Sequence, residues 1–124
     1  LGIVVRRGPF GTINAGEALR HAASAINFGV AATLVLLEDG VYVALAEQDG
    51  ERIGFPSLSE PLAQFAQQVG VGPEGLPLRG RVVVHGPSLA ARGLGKDKLV
   101  EGVEIVDDAA LAPALGEHDA VLIY

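Results

Sequence analysis

Seven residues of this 124-residue chain combine a suitable side chain or backbone with a place where an apolar run gives way to a turn: Arg6, Arg7, Gly11, Thr12, Asp39, His85 and Ser88. His85 closes the run Arg81 to His85 (RVVVH), and Ser88 follows it by one turn of chain. A serine beside a histidine offers a nucleophile and a base, or a hydroxyl that holds an acid–base group. That chemistry also needs a third group to orient the imidazole, and the local spacing shows none. Without one, His85 reads equally as a structural histidine with satisfied nitrogens. The turn Gly8-Pro9-Phe10-Gly11-Thr12 could present backbone N–H groups to an anion, with Arg6 or Arg7 adding charge. It carries no Walker lysine and does not match GxGxxG, so an ordinary tight turn explains it as well. Asp107 and Asp108 read as helix caps favoured by the dipole. His21, His85 and His118 are scattered without a ligand pattern, so no metal is expected and no cofactor is assigned; His21 reads as a surface residue.

Composition narrows the chemistry further. The chain contains no cysteine, which excludes disulfides, thiolate metal ligands and any thiol or persulfide step on the chain itself. A net charge of −6 argues against direct nucleic-acid binding, because such affinity comes mainly from Lys and Arg neutralising phosphates. No apolar run approaches the roughly 20 residues that span a bilayer, and no secretory leader pattern is visible, so no membrane association and a cytoplasmic location are expected. With 49% hydrophobic and 19% charged residues, the chain should bury an extensive core as one domain over residues 1–124.

The elements that must position these residues follow from periodicity. Short, largely apolar runs at Gly2 to Arg6, Ala32 to Leu37, Arg81 to His85, Val103 to Val106 and Ala120 to Tyr124 predict five strands. Asn14 and Glu17 resemble a capping box, and Ala15, Ala18, Leu19, Ala22, Ala23 and Ile26 follow at helical spacing up to Gly29. Ser57 or Ser59 should cap a second helix carrying Leu62, Phe65, Ala66 and Val69; a short third helix runs from Ser88 to Arg92. Asp107 or Asp108 should cap a fourth, with Leu111 and Leu115, ending at Gly116. Glu47 to Pro56 reads as an exposed loop and Val71 to Arg79 as a Gly/Pro connector. Val41 to Ala46 (VYVALA) is ambiguous, since Asp39-Gly40 signals a hairpin but Asp39 could also cap a short helix; the residues alone slightly favour the hairpin. Strands alternating with helices predict a three-layer α/β/α sandwich on a five-strand parallel sheet, of flavodoxin- or Rossmann-like kind. In such sheets ligands bind beyond the carboxyl ends of the strands, where Arg6, Arg7, Glu38, Asp39, His85, Ser88, Asp107 and Asp108 lie.

The order of motifs resembles the DsrE/DsrF/DsrH family of sulfur-relay proteins, closest in type to DsrF/TusC. A first strand enters GPFGT, an Ala-rich helix follows, a strand ends in EDGV, and a later strand, turn and helix end in ARGL. The resemblance implies the same sandwich and makes Val41 to Ala46 helical. It implies a homo-oligomer, trimer or hexamer, or a hetero-oligomer with cysteine-bearing DsrE/TusD-like subunits, acting towards tRNA thiolation or sulfur oxidation. In sulfur-carrying members it implies a cysteine at or near the turn matching Val84 to Ser88, where this chain has none. The implied role is therefore a non-catalytic subunit of a sulfur-relay assembly. Two alternatives stand beside it: a stand-alone module that binds a small anion or nucleotide through the seven residues, and an acid–base enzyme using His85 with Ser88.

Overall fold

The computed structural model describes all of residues 1–124. In chain order the elements are β1 (Gly2–Val5), α1 (Asn14–Asn27), β2 (Thr33–Leu36), α2 (Ser59–Gln67), β3 (Val69–Val71) and β4 (Pro77–Arg79). Then come β5 (Arg81–His85), α3 (Gly86–Ala91), β6 (Val103–Val106), α4 (Asp108–Gly116) and β7 (Val121–Ile123). Five of the strands form one parallel sheet in the order β6-β5-β2-β1-β7. This is the α/β sandwich expected from the alternation of apolar runs and helices.

The sheet's two faces are filled unequally. Strand geometry sends alternate side chains to opposite faces. Ile3, Val5, Leu34, Leu36, Val82 and Val84 join α1, α2 and the segment after β2 in a core of 21 buried residues. Val4, Val35 and Val83 form a smaller core on the other face, covered by Leu111 and Leu115 of α4. Ala15, Ala18 and Ala22 let α1 lie close against the sheet, which is why the helix is Ala-rich along one stripe.

Three expectations are corrected. α1 is preceded by Ile13 with no side-chain cap, so Asn14 and Glu17 form no capping box; Glu17 instead accepts hydrogen bonds from Arg20 at 2.7 and 3.2 Å. Leu58, not a serine, is the N-cap of α2, and the Ser57 hydroxyl accepts the Ser59 N–H at 3.3 Å. The stretch from Val71 to Arg79 is more than a connector: β3 and β4 pair antiparallel, Val69 with Arg79 and Val71 with Pro77. The ambiguous segment is helical, a 3₁₀ turn over Glu38–Ala44, and Leu45 beyond it bridges to Leu99.

The edge strand β6 is held by a charged cluster. Arg81 donates to Glu104 at 2.6 and 3.1 Å and to Glu117 at 3.1 Å. The hydrogen bond from Arg81 holds the Glu104 carboxyl below its usual range, against a smaller opposing effect of burial. A depressed carboxylate stabilises the fold above its unfolded pKa and loses that contribution as pH falls through the folded value. Glu104→Gln should therefore flatten the acid-side fall in melting temperature below about pH 5, by less than about 1 kcal/mol because the pair is partly solvated. Thermal melts of the two proteins between about pH 3 and 7 check this.

Candidate functional site at the carboxyl ends of the strands

β5 runs Val82, Val83, Val84 through the core and delivers His85 at its carboxyl end. The chain then turns at once into α3, with Pro87 in the first turn, where its missing N–H costs nothing. Ser88 consequently folds back under His85, with its hydroxyl 2.6 Å from Nδ1. The other ring nitrogen, Nε2, lies 2.6 Å from a carboxylate oxygen of Asp108, the first residue of α4. The third group that local spacing did not reveal is thus present.

Asp108 arrives there because β5 and β6 are neighbours. His85 is in register with Val106, so the first residues beyond β6 lie beside the imidazole. Asp107 caps α4 by accepting the Ala110 N–H at 2.9 Å, leaving Asp108 free to face the histidine. The two acids have different jobs, one a cap and one a partner.

The network also reaches β2. The Glu38 N–H donates to the Ser88 hydroxyl oxygen at 2.9 Å. With that oxygen accepting from an amide, its own proton has one acceptor in place, His85 Nδ1. Nδ1 is then the acceptor and Nε2 carries the hydrogen given to Asp108; both ends of the ring select the same tautomer. Ser88 is only 6% exposed, whereas the Asp108 side chain is 82% exposed. The buried hydroxyl positions the ring, and the solvent side of the network is the His85–Asp108 pair.

Charged side chains at the same strand ends are paired with one another. Arg6 Nε and one terminal nitrogen donate to Glu38 at 2.9 and 3.1 Å, and these bonds raise the guanidinium pKa further. Arg92 donates to Asp39 at 3.0 Å and to the Ser88 carbonyl at 3.1 Å. Glu38 holds a left-handed backbone, φ 53°, which a residue with a side chain seldom adopts. It opens the 3₁₀ turn that follows β2, and from there its N–H reaches Ser88.

Of the seven residues singled out from sequence, Arg6, Asp39, His85 and Ser88 fall into this one hydrogen-bonded network. Arg7 is exposed and makes no ion pair. Gly11 and Thr12 lie in a separate loop, pinned by Phe10 packing edge-on against Phe55 with ring centres 6.4 Å apart. Thr12 lines a cleft of about 410 Å³ with Pro9, Ile13, Phe55 and Pro56, and its hydroxyl oxygen is buried without a partner. Glu38, Arg92 and Asp108 were not among the seven. His21 was expected at the surface, but it is half-buried and its Nδ1 contacts the Tyr124 hydroxyl.

A five-strand parallel sandwich with a polar network beyond its strand ends defines a doubly wound α/β protein. The chain belongs to the DsrE/DsrF-like family, whose model matches residues 1–124. It is 31% identical over 133 residues to the intracellular sulfur oxidation protein DsrF of Allochromatium vinosum, covering 96% of this chain and 91% of that one. It is 28% identical over 122 residues to the TusC homolog of Pseudomonas aeruginosa, covering 97% and 93%. The crystal structure of the ychN protein from E. coli superposes with a TM-score of 0.74 at 20% identity, covering 99% of this chain and 97% of that one, which shows a shared fold. No helix is long and apolar enough to cross a membrane.

Proposed function

We propose that this chain is a non-catalytic DsrE/DsrF-like subunit of an intracellular sulfur-relay assembly, in which any transferable sulfur is carried by a cysteine-bearing partner. The observation that carries this reading is the β5–α3 turn. At the position where a sulfur carrier of this family is expected to hold a thiol, this chain has His85 bonded to a buried Ser88. A hydroxyl cannot hold sulfane sulfur, and the absence of cysteine extends that statement to the whole chain. Membership of the family supports a subunit role rather than a free-standing one. An anion- or nucleotide-binding module has less support, because Arg6 and Arg92 are taken up by Glu38 and Asp39, and of the two arginines read at the end of β1 only Arg7 is unpaired.

The test is co-purification with a cysteine-bearing DsrE-type relative from the same source, followed by loading with a sulfane donor and mass spectrometry. The expected result is a stable complex in which the added sulfur resides on the relative alone. A chain that stays strictly monomeric and captures no such relative would overturn the reading.

A further inference from the structure

The two rims of the sheet are built differently. β6 carries Glu104 in the charged cluster with Arg81, the kind of residue that discourages another strand from pairing at an edge. β7 has no such guard: Ala120 to Tyr124 contains no charge. Its Val121, Leu122 and Ile123 are 42%, 42% and 69% exposed, although strands of parallel sheets are ordinarily covered on both faces. The backbone is open as well. Towards β1, Ala120 O accepts from Gly2 N–H, Tyr124 N–H donates to Val4 O, and Tyr124 O accepts from Arg6 N–H. The alternation of the ladder therefore turns the N–H and C=O of Val121 and Ile123 outward.

We propose that β7 pairs with β7 of a second copy of this chain, antiparallel about a two-fold axis at Leu122. In that register Val121 of each copy exchanges both backbone bonds with Ile123 of the other. Leu122 meets its own counterpart across a non-hydrogen-bonded site, with Cα atoms about 4.5 Å apart. Every cross-strand pair is apolar, and the contact is isologous, so it closes.

Charge complementarity selects a second copy. Arg7 lies beyond β1 at the carboxyl end of the sheet, and Asp119 lies just before β7 at the opposite end; both are exposed and neither forms an ion pair. Antiparallel pairing sets the carboxyl end of one copy against the amino end of the other. Arg7 then stands two strand spacings and about one residue from Asp119 of the second copy, roughly 10 Å between Cα atoms, a span an arginine and an aspartate bridge. Parallel pairing would set Arg7 level with Arg7, in chains that already carry a net charge of −6 each.

Association with a second copy of this chain goes beyond the proposed function, because the capture of a cysteine-bearing relative does not require it. Light scattering after size exclusion, over a dilution series, tests it. The wild type is expected to be an even-numbered oligomer, and Leu122→Lys to dissociate it while the melting temperature and circular dichroism hold. Arg7→Asp or Asp119→Arg alone should each weaken association about tenfold, the equivalent of about 1.4 kcal/mol. The double exchange, Arg7→Asp with Asp119→Arg, should restore it and shows that the variants fold. A wild type that is monomeric throughout overturns edge pairing, as does an oligomer indifferent to Leu122→Lys and to both charge changes. The second outcome leaves the capture of a cysteine-bearing relative, and so the proposed function, standing on its own test.

Discussion

Gly40→Ala is expected to lower the melting temperature by about 10 °C or more, the equivalent of about 3 kcal/mol in a domain of this size. Gly40 sits in the 3₁₀ turn that follows β2, with its α-carbon against the end of β1. A methyl group there would lie 1.9 Å from the Val5 carbonyl oxygen and 2.7 Å from its carbon. Both are backbone atoms of a fully buried strand, so no side chain can move aside. The chain must instead pull the turn off β1, breaking the Leu37 N–H bond to the same Val5 oxygen at 3.1 Å. The displaced segment begins with Glu38, whose N–H reaches Ser88, so His85 should lose its fixed orientation along with the stability. Thermal denaturation checks the size of the effect, with Gly8→Ala as control: its methyl would meet only the Asp39 carbonyl at 3.8 Å, an ordinary contact. A Gly40→Ala protein melting within about 2 °C of wild type would contradict this packing of the turn.

What could be read from sequence, and what could not, divides along the range of the forces involved. β5 was bounded to the residue because its buried Val82 to Val84 form one uninterrupted apolar run between turns, a purely local signal; β6 was bounded as well, though Glu104 interrupts it and none of it is fully buried. The β3–β4 hairpin was hidden because Gly70, Gly72, Pro73, Gly75 and Pro77 spell a connector. It forms because α1 holds it. A side chain on Gly70 would lie 2.4 Å from the Ile26 carbonyl oxygen, and Gln68 donates to Ala23 O at 2.9 Å and to the Asn27 side chain at 2.8 Å. No local rule contains those contacts. The capping box of α1 failed for a related reason: Glu17, expected to reach back to the helix start, finds Arg20 one turn ahead, whereas the expected Asp107 cap of α4 is in place.

The site divides in the same way. His85 and Ser88 are three residues apart, so their meeting was legible. Asp108 is 23 residues from His85, and only the adjacency of β5 and β6 brings it there. A signal for it did exist, in two acids directly after the strand that neighbours β5. Capping needs one acid, so the second was available for another partner. Deciding that required the strand order, which periodicity does not supply.

Ser88→Ala should cost about 1–3 kcal/mol, more than the removal of one oxygen from a surface serine would. Ser88 is buried, and its hydroxyl joins two elements by accepting from Glu38 N–H of the β2 segment and donating to Nδ1 of His85 on β5. Without it the Glu38 amide faces a methyl group at the point where the backbone is already held at φ 53°, and Nδ1 has no donor. Asp108 still accepts from Nε2 in the single variant, so the imidazole tautomer should persist while stability falls. In Ser88→Ala with Asp108→Ala neither nitrogen is held, and both neutral tautomers should appear in the nitrogen-15 spectrum of the side chain. Asp108→Ala alone should change stability by less than about 1 kcal/mol, because its carboxylate faces solvent. That ordering separates a buried bridge from an exposed pair. A Ser88→Ala protein as stable as wild type, or a tautomer already mixed in the wild type, would mean that the serine does not position the histidine.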